Sequence, residues 1–283
     1  MFPSNRPGRC DAPMAFRRER ALGFISGNWR DVRTFGPGVL GRHLGRLSKE
    51  RVGTARLRDI GPIKVRPHQS DMACLRQVFA DREYDLTRFH EAEARITARY
   101  ESILSEGSIP IIIDGGANIG AAALWFARKY PAAAIMAVEP DESSFALLRE
   151  NVGSSVTPVK AALGAEAGYV TVHVHAQAWA TQTVRADSGL PVVTVDDLVA
   201  RVPNGKLFIA KIDIEGFEKD LFASNVDWIA EAFVIYIEPH DWMLPGKGSS
   251  RPFMEAIVPH GFEVYVTGEN LAFVRPSSPP ANS

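Results

Sequence analysis

The 283-residue chain is poor in cysteine, with only Cys10 and Cys74, which form no CxxC pair and no zinc-ligand spacing. So few thiols argue against a disulfide scaffold and fit a reducing compartment, for which the cytoplasm is the expectation. Long apolar runs are also missing: none approaches the ~20 residues that span a bilayer. The first thirty residues are polar and rich in proline and arginine, without the apolar stretch of a signal peptide. No internal repeat is visible. Charge of either sign is not in excess overall, the net value being −1.

That balance hides an asymmetry. Residues 1–66 hold fifteen arginines and lysines against five acids, so the remainder of the chain is acidic. A basic segment can meet nucleic acid, anionic lipid or acidic glycan. No nucleic-acid motif accompanies it, and no nucleic-acid partner is expected. Leu40, Leu44 and Leu47 recur at helical spacing beside Arg42, Arg46 and Arg51. Such a stripe docks on its own domain or makes weak contact with a membrane surface. The segments expected are a basic, partly flexible extension over 1–58, a lead-in over 59–108, a core over 109–276 and a disordered tail over 277–283. In the lead-in, 60–66 reads as a strand, and 71–82 and 88–105 as helices.

An apolar fraction of 46% and a charged fraction of 23% allow a sizeable core. From residue 109 onward strand and helix signals alternate, the pattern of an α/β protein with a parallel sheet. Strands are expected at 109–114, 134–139, 156–161, 207–213 and 233–238. Helices are expected at 121–129, from Asp141 to about Asn151 with Asp141 as N-cap, and at 217–223. Two last strands, 262–267 and 271–275, flank Gly268-Glu269-Asn270 and read as a hairpin. Val170, Val172 and Val174 alternate with polar residues, as on a half-buried strand.

The chemistry is densest where the first core strand ends. Asp114-x-Gly116-x-Asn118-x-Gly120 sits at a strand-to-helix turn, where glycines let a ligand approach the backbone. Ligands of such sheets bind beyond the carboxyl ends of the strands. The run G-G-A-N-I-G lacks the second glycine of the dinucleotide pattern G-x-G-x-x-G, whose helix start cradles a pyrophosphate. An acid at the strand end instead suits a ligand with an α-amino group and no phosphate, such as S-adenosylmethionine. Glu139, at the end of the next strand, can accept hydrogen bonds from both ribose hydroxyls. A nicotinamide-dependent sugar enzyme is the rival reading. None of the six tyrosines has a lysine four residues later, which argues against its short-chain form.

IIIDGGANIG (111–120), AVEPD (137–141), VKAALG (159–164), VTVDDL (193–198) and KIDIEGFE (211–218) together resemble the FkbM family of methyltransferases, over roughly residues 63–275. The resemblance implies a class I, Rossmann-like fold with a mostly parallel seven-stranded sheet and a C-terminal antiparallel hairpin. It implies S-adenosyl-L-methionine as cofactor and O-methylation of a sugar, glycolipid, polysaccharide precursor or related small molecule. Asp114, Gly116, Asn118 and Gly120 would surround the methionine part, Glu139 the ribose, and Asp141 and Ala161 the adenine edge.

For the acceptor, two clusters stand at strand ends: Asp213-Ile214-Glu215 and Glu238-Pro239-His240. Alternation along a strand would pair Asp213 with Glu215 and Glu238 with His240. Asp213 or His240 could act as general base; the cluster could hold a divalent metal; or the acids could only cap, orient or bind cofactor. Trp179 in the polar stretch 176–189, Trp242, and the 246–250 loop are candidates for a lid over a small-molecule or glycan acceptor. The tryptophans serve equally well as packing residues. A non-catalytic, cofactor-binding partner protein is the remaining alternative.

Overall fold

The computed structural model describes residues 33–35, 52–66, 70–174, 181–242 and 245–277. The expected leucine-arginine helix, Trp179 and both terminal tails lie outside these residues. None of the described helices is long and apolar enough to cross a membrane.

The described chain opens with a hairpin of β1 (Gly53–Leu57) and β2 (Gly61–Val65). The hairpin straddles residue 58, the boundary drawn between the extension and the lead-in. Ala55, Leu57, Ile63 and Val65 point inward from it, and Phe35 joins the same core. The helix expected over 71–82 is shorter. A helix α1 (Asp71–Leu75) passes into a π-helical turn at Arg76–Ala80. Helix α2 (His90–Ser105) leads to the core.

Strand β3 (Ile109–Gly115) is followed by α3 (Ala121–Lys129), β4 (Ala134–Val138), α4 (Glu142–Asn151) and β5 (Val156–Val159). Ile112 faces one core while Ile111 and Ile113 face the other, so β3 is covered on both sides. Asp141 caps α4 as expected, its side chain accepting from the Ser144 N–H. The chain then leaves the main sheet for an excursion. Short β6 (Ala162–Leu163), β7 (Gly168–Val174), β8 (Thr181–Ala186) and β9 (Leu190–Val193) form a four-stranded sheet ordered β6-β9-β7-β8. Part of the stretch expected as a lid is therefore strand β8, antiparallel to β7.

Helix α5 (Val195–Ala200) starts on a Thr194/Asp197 capping box. It returns the chain to β10 (Gly205–Ile212), followed by α6 (Glu218–Leu221), α7 (Trp228–Glu231) and β11 (Val234–Ile237). Helix α8 (Arg251–Ile257) precedes the hairpin of β12 (Glu263–Thr267) and β13 (Asn270–Val274). The seven-stranded sheet is ordered β12-β13-β11-β10-β3-β4-β5. Pairings from β11 to β5 are parallel, and β13 pairs antiparallel to both β11 and β12. This is the class I methyltransferase layout. Strand order reverses between β3 and β10, which opens a crevice beyond their carboxyl ends.

Candidate active site

The crevice holds two adjoining cavities. One, of about 200 Å³, is lined by Gly116, Asn118, Glu139, Asp141, Leu163 and Phe217, among others. The second, of about 260 Å³, runs beneath α1 to the acids of β10 and β11. Ser70, Gly116, Asn118, Asp213 and Glu215 line both.

The glycine turn is shaped by close backbone approach. Gly116 has φ +73°, and a Cβ there would lie 1.7 Å from the Asp213 carbonyl oxygen. Asn118 is also left-handed, at φ +48°. Its N–H donates to Glu139 Oε2 at 2.8 Å, and the Asp141 N–H donates to Oε1 at 2.8 Å. Glu139 is 6% exposed, and burial pushes its carboxyl up to about 7 against the pull of those two N–H groups. Asp141 is also partly desolvated, but hydrogen bonds from Ser143 and Ser144 hold its carboxyl below the ordinary value.

Three expected contacts fall elsewhere. Asp114 has no exposed surface; its Oδ1 lies 3.1 Å from Lys211 Nζ, and its side chain lines neither cavity. Gly120, at φ +90°, is the N-cap of α3. A Cβ there would crowd Leu148 and Val152 of α4, not a ligand. Ala161 is fully buried, and its neighbours Ala162 and Leu163 line the cavity in its place.

Lys211 has a role that its place in the sequence did not reveal. Its ammonium donates to the carbonyls of Gly115 (3.2 Å) and Gly116 (2.8 Å), and lies 3.3 Å from Asp213 Oδ2. Burial works against this charge, but Asp114 and Asp213 outweigh it, so the ammonium stays protonated. The loop is thus tied to β10 by one buried cation.

The expected Glu238–His240 pair is present, and Asp213 joins it from the neighbouring strand end, β10 ending at Ile212 and β11 at Ile237. Beyond those ends the chain turns, with Glu215 at φ +50°. The turn brings Asp213, Glu238 and His240 together across the two strands. His240 Nε2 lies 3.6 Å from Asp213 Oδ1 and 3.8 Å from Glu238 Oε1. On the far side of the ring, Nδ1 lies 2.9 Å from Glu218 Oε1. Glu218, from the start of α6, is 1% exposed and had not been singled out from the sequence.

Burial disfavours the imidazolium, but the hydrogen bond to Glu218 and the charges of Glu218, Asp213 and Glu238 push His240 up to about 9. Burial and the Asp213 charge push Glu238 up to about 8. The three donor atoms lie within 4.8 Å of one another, a spacing that can hold a divalent cation.

The FkbM methyltransferase domain model matches residues 114–264, more than half of the chain. The chain belongs to that family of methyltransferases, whose cofactor is S-adenosylmethionine. The cavity fits it: apolar Ala162, Leu163, Ile214 and Phe217 offer faces to a purine, and Glu139 offers a carboxylate to a ribose. A similar curated protein is Methyltransferase 1 of Beauveria bassiana, 26% identical over 175 residues and 52% of this chain. The chain spans 64% of that relative's length. Similar solved structures include a precorrin-6y C5,15-methyltransferase from Geobacter metallireducens, 12% identical at a TM-score of 0.35. The match covers 62% of this chain and 84% of that one. The fibrillarin pre-rRNA processing protein of Methanococcus jannaschii is 12% identical at a TM-score of 0.36, covering 59% of this chain and 65% of that one.

Proposed function

We propose that the chain O-methylates a hydroxyl of a sugar, glycolipid, polysaccharide precursor or related small molecule. The observation that carries this reading is the Asp213/Glu238/His240 cluster, which opens on the second cavity where it adjoins the cofactor cavity. When bound, S-adenosylmethionine supplies an activated methyl group, which leaves its sulfur as the acceptor oxygen takes it, giving S-adenosylhomocysteine.

The residues divide the remaining work. Glu139 holds the ribose; Gly116 and Asn118 border the methionine part; Asp141 stands at the adenine edge. Asp213 lines both cavities, so it orients the acceptor hydroxyl at their junction. The hydroxyl proton passes to the cluster, in which Asp213, Glu238 and His240 share protons as one coupled set. A sugar hydroxyl is a weak nucleophile, and such a base gives typically ~10²–10⁴-fold. Glu218 positions the His240 ring. Glu215 adds a carboxylate to the wall.

Glu83, Asp213, Glu215, Glu238 and Glu269 all face the acceptor cavity. Lys211 and His240 line the same cavity, but the acids outnumber them, which supports a neutral acceptor and argues against nucleic acid. Trp242, 66% exposed and on the cavity lining, is suited to a sugar face. The scarcity of cysteine supports a cytoplasmic setting. The test is transfer of labelled methyl to a panel of sugar acceptors, with Asp213→Asn as control. Tight cofactor binding without transfer to any hydroxyl would instead favour a non-catalytic binding partner.

A further inference from the structure

Arg66 lies upstream of the matched family domain, yet it reaches the cofactor cavity. Among the described residues lining that cavity it is the only cationic side chain. Its side chain is 11% exposed and follows directly after β2. Asp71, with no exposed surface, sets its direction. Asp71 Oδ2 accepts from the Arg66 backbone N–H at 2.6 Å and from Nε at 3.0 Å, and Oδ1 accepts from Nη2 at 2.8 Å. A carboxylate gripped at two points fixes the plane of a guanidinium.

The free edge of the fork then meets the adenosyl side of the site. Nη1 donates to Ser143 Oγ, and Nη2 lies 3.1 Å from Ser144 Oγ and 3.4 Å from Asn118 Oδ1. Asp141 Oδ1 is 3.9 Å from Nη1. One side chain thus touches the left-handed Asn118 and the cap of α4, the two segments whose N–H groups Glu139 receives. Guanidinium has five N–H donors. Nε–H and one Nη2–H serve Asp71, the other Nη2–H serves Ser144 and Asn118, and one Nη1–H serves Ser143. Among the described residues, the other Nη1–H has no acceptor within hydrogen-bond distance, Asp141 Oδ1 being 3.9 Å from Nη1.

We infer that Arg66 is a cofactor-binding residue of the adenosyl half of the site, contributed from just after the lead-in hairpin, upstream of the matched segment 114–264. Its guanidinium lines the cavity beside Asp141, and its donors to Ser143, Ser144 and Asn118 fix the walls around the nucleoside. The inference rests on the cofactor cavity alone and is independent of which acceptor is methylated.

Calorimetry on the full chain tests it with two ligands: S-adenosylhomocysteine, and 5′-methylthioadenosine, which lacks the amino-acid end. Loss of a charge-assisted hydrogen bond is worth about ten- to a hundredfold in affinity. Arg66→Ala is expected to weaken both ligands by that factor and by the same ratio, with Arg66→Lys recovering only part because lysine lacks the fork. Weakening of S-adenosylhomocysteine alone would move Arg66 to the amino-acid end and overturn the assignment. So would unchanged affinities together with a lowered melting temperature, the mark of a purely structural strap. Should Arg66→Ala fail to fold, Arg66→Gln and Arg66→Lys give the same comparison.

Discussion

Lys211 and Asp114 form an ion pair buried at the floor of the cofactor loop, Nζ to Oδ1 3.1 Å, with side chains 3% and 0% exposed. The same ammonium holds the Gly115 and Gly116 carbonyls. Removing one partner of such a pair leaves an uncompensated buried charge, which costs about 3–5 kcal/mol. Lys211→Met is expected to lower unfolding free energy in urea by that amount. Adding Asp114→Asn to it should recover part of the loss. A single variant as stable as the parent would show that the pair contributes nothing to the loop.

Glu139 holds the loop as well as the proposed ribose site. Glu139→Ala strips acceptors from the Asn118 and Asp141 N–H groups, so a stability loss of about 1–3 kcal/mol accompanies weaker cofactor binding. The pH dependence follows from the raised carboxyl. Its value of about 7 lies above that of the unfolded chain, so ionising Glu139 opposes folding as pH rises from the unfolded value through about 7. Ribose hydroxyls need the ionised form as acceptor, so cofactor affinity moves the other way and tightens as pH rises through about 7. Calorimetric titrations at pH 6 and 8 with S-adenosylhomocysteine measure this directly. Equal affinities at both would remove Glu139 from the ribose.

The extent to which the sequence announced this site follows from the range of each interaction. Gly116, Asn118 and Glu139 were legible because a strand, a turn and the next strand end encode them locally. Asp213, Glu238 and His240 were found as two clusters, and the expected Glu238–His240 pair is present. Both strands stop one residue before the acid, and Asp213 then meets His240 across the sheet because β10 lies beside β11. Lys211 was visible in KIDIEGFE without a role, because Asp114, Gly115 and Gly116 lie 95 to 97 residues earlier, on β3 and the turn after it, and only strand pairing brings them to its ammonium. Glu218 stood unremarked at the end of KIDIEGFE, and Arg66 was one more arginine of a basic segment. The excursion β6–β9 read partly as a lid, since polar residues on an exposed strand carry the same composition as a loop.

The proposed acceptor cluster is expected to make turnover rise with pH. Glu238 and His240 are raised to about 8 and about 9 and bind a proton at neutral pH. Loss of that proton frees the base, so kcat/KM is expected to climb through pH 8 to 9 and level above. Glu218→Gln weakens the hold on the imidazolium and should shift the rise to lower pH. A profile that falls over this range would mean that the protonated cluster is the active form.

Gly116 admits no side chain. A Cβ would strike the Asp213 carbonyl oxygen at 1.7 Å, on a backbone with φ +73°. Gly116→Ala therefore forces β3 and β10 apart at their ends and is expected to abolish measurable cofactor binding. Circular dichroism reports whether the fold survives alongside calorimetry. Parental affinity in this variant would contradict the described turn.

The division between the two cavities is tested most directly by Asp213→Asn, with methyl transfer and S-adenosylhomocysteine affinity measured on the same preparation. The account predicts a fall in kcat of about 10²- to 10⁴-fold with the dissociation constant nearly unchanged. A kcat preserved at saturating cofactor, with affinity lost, would make Asp213 a cofactor ligand and leave the acceptor without its base.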